Sequence, residues 1–148
     1  DNKNSSEIWS SFRVGEKSKI IDRNFNFLGK TIECSQESFK PFFKKLKHTR
    51  KWKLQANKII IDDKINTNRH KFFLYFHFSP GTNVMLNKKN LVSFKTNKDD
   101  GFINFSHSQK IYVKRSFYYP NFGNKKKIKS LIVECNGDKN ITEIIIKK

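Results

Sequence analysis

Residues 48–55 read His48-Thr49-Arg50-Lys51-Trp52-Lys53-Leu54-Gln55, and their alternation decides the architecture. Successive side chains of a strand point to opposite faces. His48, Arg50, Trp52 and Leu54 therefore share one face, and Thr49, Lys51, Lys53 and Gln55 share the other. The first is apolar enough to bury; the second is wet. Outward from this stretch, β-type runs recur at 18–21, 30–34, 58–65, 70–78, 90–96, 101–106, 110–117, 128–136 and 140–148. About ten short strands in 148 residues is the spacing of an all-β domain. Asn136-Gly137-Asp138, followed by Lys139 and Asn140, separates the last two runs as a hairpin turn would. Asp99-Asp100-Gly101 does the same for the pair before it. Residues 72–78 are apolar on both faces and read as a central strand. Residues 39–46 come nearest to helical spacing, but Pro41 limits them to a single turn. The expectation is one antiparallel β-sandwich over residues 1–148 with almost no helix, its strands burying their apolar faces against one another.

The chain carries 31 Lys and Arg against 13 Asp and Glu, a formal charge of +18, which favours polyanions as partners. Only five of those cations are Arg, while Asn, Ile and Phe abound and Ala56 is the lone Ala. An A/T-rich coding sequence produces that bias, so part of the charge reflects codon usage. No run approaches the roughly 18–20 apolar residues of a membrane helix. Residue 1 is Asp and the single Met is Met85, so the chain is expected to begin inside a longer polypeptide. Cys34 and Cys135 make no disulfide framework, and neither has a second Cys or a His at metal-ligand spacing.

Residues with chemical potential are few. His48, His70, His77 and His107 are scattered, with no metal-binding spacing. Adjacent Asp62 and Asp63 would point to opposite faces, which is poor geometry for a hydrolytic pair. No glycine-rich phosphate loop is present, so no cofactor is expected. Arg50 sits on the face of Trp52 and Leu54, where an unpaired guanidinium is costly. Either it pairs with an acid such as Asp62 or Asp63 or with backbone carbonyls, or it faces a cleft as an anion ligand. Lys125-Lys126-Lys127 follows a turn-like sequence and reads as a solvated loop. Phe117, Tyr118 and Tyr119 beside Arg115 could stack sugars or bases, with core packing the blander reading. Asn4 and Asn140 begin glycosylation triplets, which are common by chance.

The opening Asn4-Ser5-Ser6-Glu7-Ile8-Trp9-Ser10-Ser11-Phe12-Arg13-Val14-Gly15 resembles a segment of heparinase II/III-like proteins. The likeness continues in order. His48-Thr49-Arg50-Lys51-Trp52 is similar to the family's His-x-Arg strand and Ile61-Asp62-Asp63-Lys64-Ile65 to its Asp-x-hydrophobic turn. Phe76-His77-Phe78-Ser79-Pro80 resembles its His-containing, Pro-ended strand, and residues 118–123 its aromatic-Gly segment.

The resemblance implies a helical toroid followed by a large antiparallel β-sandwich, with the active site between them. It further implies a lyase acting on uronate-containing chains by β-elimination, or a non-degrading relative in surface-glycan synthesis. The chain would then be the C-terminal part of the sandwich, with the toroid and first sandwich strands upstream, and would supply scaffold and a cationic cleft wall. The family's catalytic and metal-binding residues map upstream of Asp1, so no catalytic or metal residue is named in this chain. Trp9 and Arg13, which follow the family's cleft-side strand, are the expected substrate-binding residues together with Arg50. The alternative for Trp9, Phe12 and Arg13 is core packing with an Arg13–Glu7 pair. The implied partners are an acidic polysaccharide and the upstream helical domain, in a periplasmic or cell-envelope setting, with nucleic acid disfavoured. The competing reading is a non-catalytic basic β-sandwich that binds acidic glycan or nucleic acid.

Overall fold

The structure, a computed structural model, describes residues 6–8, 14–37, 46–66, 71–88 and 90–147. Trp9, Arg13 and the 39–46 near-helix lie, wholly or nearly so, outside the described residues. The strands are β1 (Ser6–Ile8), β2 (Val14–Lys17), β3 (Lys19–Asn26), β4 (Thr31–Glu37), β5 (Lys47–Leu54), β6 (Lys58–Ile65) and β7 (Phe72–His77). They continue as β8 (Asn83–Lys88), β9 (Leu91–Lys95), β10 (Asp100–Phe105), β11 (Ser108–Tyr118), β12 (Lys126–Cys135) and β13 (Lys139–Lys147). An eight-stranded sheet runs β3-β4-β5-β6-β13-β10-β9-β8, a three-stranded sheet runs β11-β12-β7, and β1 pairs with β2. The strand pairs are antiparallel, and the described residues contain no helix. The all-β sandwich read from the alternation is the observed architecture.

Strand alternation sorts each sheet into two faces. The inward face of the eight-stranded sheet follows from register: Trp52 lies opposite Ile61, Ile61 opposite Thr142, Phe105 opposite Thr142, and Val92 opposite Ile103. The three-stranded sheet presents Ile111, Leu131, Val133, Cys135 and Leu74. Together with Val84, Val92, Ile103 and Phe105 these close the core, and Phe76 meets Phe105 edge-on at 5.6 Å between ring centroids. Each large aliphatic or aromatic side chain buried there contributes roughly 1.5–3 kcal/mol over leaving it in water. The core draws on β7 to β12 plus Ile144 of β13. The strands β3 to β5 extend the sheet beyond it, and their inward Phe25, Ile32 and Leu54 stay 56%, 42% and 50% exposed. On the outer face, ion pairs Glu33–Lys51, Asp62–Lys139, Lys58–Glu143 and Asp100–Lys147 cross neighbouring strands.

Three expectations are corrected. Residues 72–78 form an edge strand, not a central one: β7 pairs with β12 alone, and its outward Phe73 and Tyr75 are exposed. Asn136-Gly137-Asp138 reverses the chain, with Gly137 at φ 88°, but makes no hairpin, because β12 belongs to one sheet and β13 to the centre of the other. Both edges of β12 are already paired, with β11 and β7, so a turn signal can set the reversal without setting the partner. The β9–β10 hairpin does form, but its turn is 96–99, closed by Thr96 N–H to Asp99 O at 2.8 Å. Gly101 instead lies inside β10, where an added Cβ would stand 2.1 Å from Ile145 O and 2.8 Å from the Phe94 ring. The strand β8 escapes a composition reading because Pro80-Gly81 precedes it and only Val84 is buried among its residues.

Candidate functional site

Two polar clusters interrupt the apolar inward faces, at opposite ends of the sandwich. The first centres on Asp63 of β6, which is fully buried. Register puts Arg50 directly opposite it on β5, and strand periodicity puts His48 two residues away on the same face. Arg50 donates from Nε to Oδ1 at 2.6 Å and from Nη2 to Oδ2 at 3.2 Å, and His48 Nε2 lies 2.7 Å from Oδ1. Arg50 also lies 5.9 Å from the centroid of the Trp52 ring. Burial pushes the Asp63 carboxyl up, but hydrogen bonds from His48 and Arg50, reinforced by their charges, outweigh it and hold the group below its ordinary value. Of the partners open to Arg50 in the sequence, Asp63 is the one the register selects.

Neighbouring buried groups are also bonded. Asn140, opposite Asp63 on β13, donates from Nδ2 to Thr142 Oγ1 at 3.0 Å and accepts the His107 N–H at 3.3 Å. Full burial removes Asn140 as a glycan acceptor in the folded chain. The Cys135 thiol is pushed up to about 12, by burial first and then by the charges of Asp63 and Glu134, and both cysteines are free. An ionised, doubly bound carboxylate and a neutral buried thiol are a poor base and a poor nucleophile. Among the described residues, no three His, Cys, Asp or Glu side chains converge as a metal site.

The second cluster lies at the far end of the three-stranded sheet. Along the inward face of β11, Ile111 and Val113 give way to Arg115 and Phe117; on β12, Leu131 gives way to Lys129 and Lys127. Arg115 faces Lys129 and Phe117 faces Lys127 across the ladder. These side chains and the 81–83 segment wall a cleft of about 700 Å³. Lys129 Nζ donates to Asn83 Oδ1 and to Val84 O, both at 3.2 Å, and Lys125 Nζ stands 3.7 Å from the centroid of the Phe117 ring. Phe117, Tyr118 and Tyr119 are exposed, so core packing is not their role, and Lys126 and Lys127 belong to a strand, not a solvated loop. Sequence reading singled out Arg115, Phe117 and Lys127 piecemeal, passed over Lys129 and missed their convergence. The signal was present: residues 101–133 hold seven Lys or Arg and no Asp or Glu.

Of the expected substrate-binding residues, the structure places Arg50 against Asp63 with 29% of its side chain exposed, while Trp9 and Arg13 lie outside the described residues.

Comparison with known proteins places this geometry. No curated protein matches the sequence. The fold is similar to that of the heparan sulfate lyase HepC from Pedobacter heparinus, with TM-score 0.68 and 10% identity over 89% of this chain and 22% of that one. It is also similar to heparinase III, with TM-score 0.65 and 17% identity over 97% of this chain and 23% of that one. The chain thus spans less than a quarter of the length of either protein, and identities this low carry the fold alone. The model of the heparinase II/III-like C-terminal region matches residues 1–147. By that match, the chain belongs to the heparinase II/III-like family, as its C-terminal region.

Proposed function

We propose that the chain is the C-terminal β-sandwich part of a polysaccharide lyase that cleaves uronate-containing acidic polysaccharide by β-elimination. The family match over residues 1–147 carries this reading. The elimination needs a cation or donor set to neutralise the uronate carboxylate, a base for the C5 proton and an acid for the departing O4. Asp63 is held ionised by two donors, Cys135 is a buried thiol and His77 Nδ1 is 2.8 Å from Ser130 Oγ, so base and acid are assigned to the upstream toroid and first sandwich strands. The part played here is scaffold and one cationic wall of the cleft, to which Trp9, Arg13 and Arg50 belong. Asp63 fixes the Arg50 fork, leaving part of the side chain open to an anion.

The uncovered inward face of β3 to β5 supports an upstream part that completes the sandwich. Phe25, Ile32 and Leu54 continue the apolar face of the core past the edge of the three-stranded sheet. We assign the Phe25, Ile32 and Leu54 part of that face to the sandwich strands preceding residue 1 in the longer polypeptide, and the neighbouring Arg50 part to the cleft.

The test is the ultraviolet absorbance of the unsaturated uronate product on an acidic polysaccharide. Turnover is expected from the polypeptide extended upstream and none from the 148-residue chain. Turnover by the chain alone overturns the assignment of base and acid. An extended polypeptide that binds the glycan without cleaving it supports the non-catalytic reading instead.

A further inference from the structure

We propose that the cleft bounded by Arg115, Phe117, Lys127 and Lys129 is a binding subsite for an acidic oligosaccharide, holding its sulfate or carboxylate groups with the cations and a sugar face on Phe117. Only the sugar class rests on the lyase reading; the anion site stands on its own geometry.

The arrangement costs stability unless an anion fills it. Arg115 and Lys129 are register partners on one face, and like charges directly opposite on a ladder repel. Lys127 follows two residues along the same face, and Lys125 stands over the Phe117 ring. Among the described residues no carboxylate forms an ion pair with Arg115, Lys125, Lys127 or Lys129, whereas Lys51, Lys58, Lys139 and Lys147 on the opposite sheet's outer face have Glu33, Glu143, Asp62 and Asp100 as partners. Cations facing one another in a concave, acid-free site focus a positive potential.

The chemistry of the walls narrows the ligand. Arg115 offers a planar fork that matches a sulfate or carboxylate, while the lysines act as point charges. Phe117 is 44% exposed, presenting a ring to the C–H face of a pyranose. The exposed Asn83 adds an amide able to meet hydroxyls. The cleft shares Gly81 and Thr82 with a second hollow of about 350 Å³ lined also by Thr96, Asn97, Lys98 and Asp99, whose carboxylate is the one acid along that path. Length of that kind suits a run of sugars better than a single ion. A single aromatic ring beside the cations gives little of the successive base stacking that single-stranded nucleic acid uses.

The test is titration of the 148-residue chain with a sulfated uronate–glucosamine oligosaccharide, followed by calorimetry at moderate salt. The variants are R115A/K127A, R115K, F117L and the control K53A/K95A, which removes the same charge from the outer face of the eight-stranded sheet. Thermal melting of each verifies folding. Roughly a tenfold or greater loss is expected for R115A/K127A, in line with removing charge-assisted hydrogen bonds. R115K is expected to lose several-fold although its charge is kept, and F117L to weaken the oligosaccharide but not inorganic sulfate. Equal losses in R115A/K127A and K53A/K95A would overturn the site in favour of a diffuse field. Single-stranded DNA displacing the oligosaccharide at equal charge concentration, with the same variant sensitivity, would overturn the glycan assignment. R115A/K127A failing to fold moves the decision to R115K and F117L, which keep charge or volume; wild-type binding by both overturns the proposal. Because no turnover is read, the outcome is independent of whether the extended polypeptide is a lyase.

Discussion

Arg50 and Asp63 face each other across the β5–β6 ladder, the guanidinium bonded through two nitrogens to both oxygens of a carboxylate that water does not reach. A buried pair of this kind adds modest net stability, because desolvation offsets the attraction, but breaking it strands a charge. Arg50→Ala leaves Asp63 with His48 alone and is expected to destabilise the chain by about 3 kcal/mol. Arg50→Lys, which keeps the charge and loses the fork, is expected to cost less. Urea unfolding decides it; an Arg50→Ala midpoint indistinguishable from wild type would show that solvent or a relaxed backbone rescues the carboxylate.

The same pair sets an acid dependence. Asp63 sits below the ordinary carboxylate value in the folded chain, because bonds and charge from His48 and Arg50 outweigh the burial that raises it. In the window between that lowered value and about 3.9, the unfolded chain binds the proton and the folded chain does not. Stability therefore rises with pH through this window, is complete above it and is lost as pH falls through the folded value. The stability gap between wild type and Asp63→Asn is expected to shrink as pH is lowered from 5 toward 2. A gap constant over that range would show that Asp63 titrates alike in both states.

Much of this cluster was legible in the sequence, and the limit of legibility is physical. The 48–54 alternation shows that Arg50 occupies an apolar face and so demands a partner. Choosing between Asp62 and Asp63 requires the β5–β6 register, which period-2 patterning leaves free by one residue until a pairing is fixed. The edge position of β7 was hidden for another reason: Phe73 and Tyr75 look buried by composition, yet they lie on the open outer face of a sheet only three strands wide. Arg115, Phe117, Lys127 and Lys129 are separated by a turn, and only the β11–β12 ladder brings them to one cleft. Gly101 carried a turn signal in sequence and in the fold does a different job, admitting the Phe94 ring.

That job gives a sharp substitution. With Ile145 O at 2.1 Å and the Phe94 ring at 2.8 Å from an added Cβ, Gly101→Ala must push backbone as well as a side chain. A loss of about 3 kcal/mol is expected, at the upper end for overpacking a core. The double variant Gly101→Ala with Phe94→Leu should recover only part of it, since the carbonyl clash stays. Full recovery in the double variant would show that the backbone yields freely and the ring is the whole obstacle.

The last expectation concerns the inward face of β3 to β5. Leu54 and Phe25 are about half exposed on a face whose continuation under the three-stranded sheet is dry core. If the strands preceding residue 1 cover them, a charge there is harmless in the 148-residue chain and damaging in the longer polypeptide. Leu54→Lys is expected to change the stability of the chain alone by no more than about 0.5 kcal/mol, the usual range for surface positions. In the extended polypeptide it should cost roughly 2–4 kcal/mol by burying an unpaired ammonium beside lost apolar contact. Phe25→Lys should follow the same pattern, and both changes should raise the solubility of the chain alone by breaking an apolar patch. Equal damage in the two contexts would mean that residues within the chain already cover the face. No damage in either would mean that the face stays open to solvent in the whole protein, and the assignment of the upstream strands to it would fall.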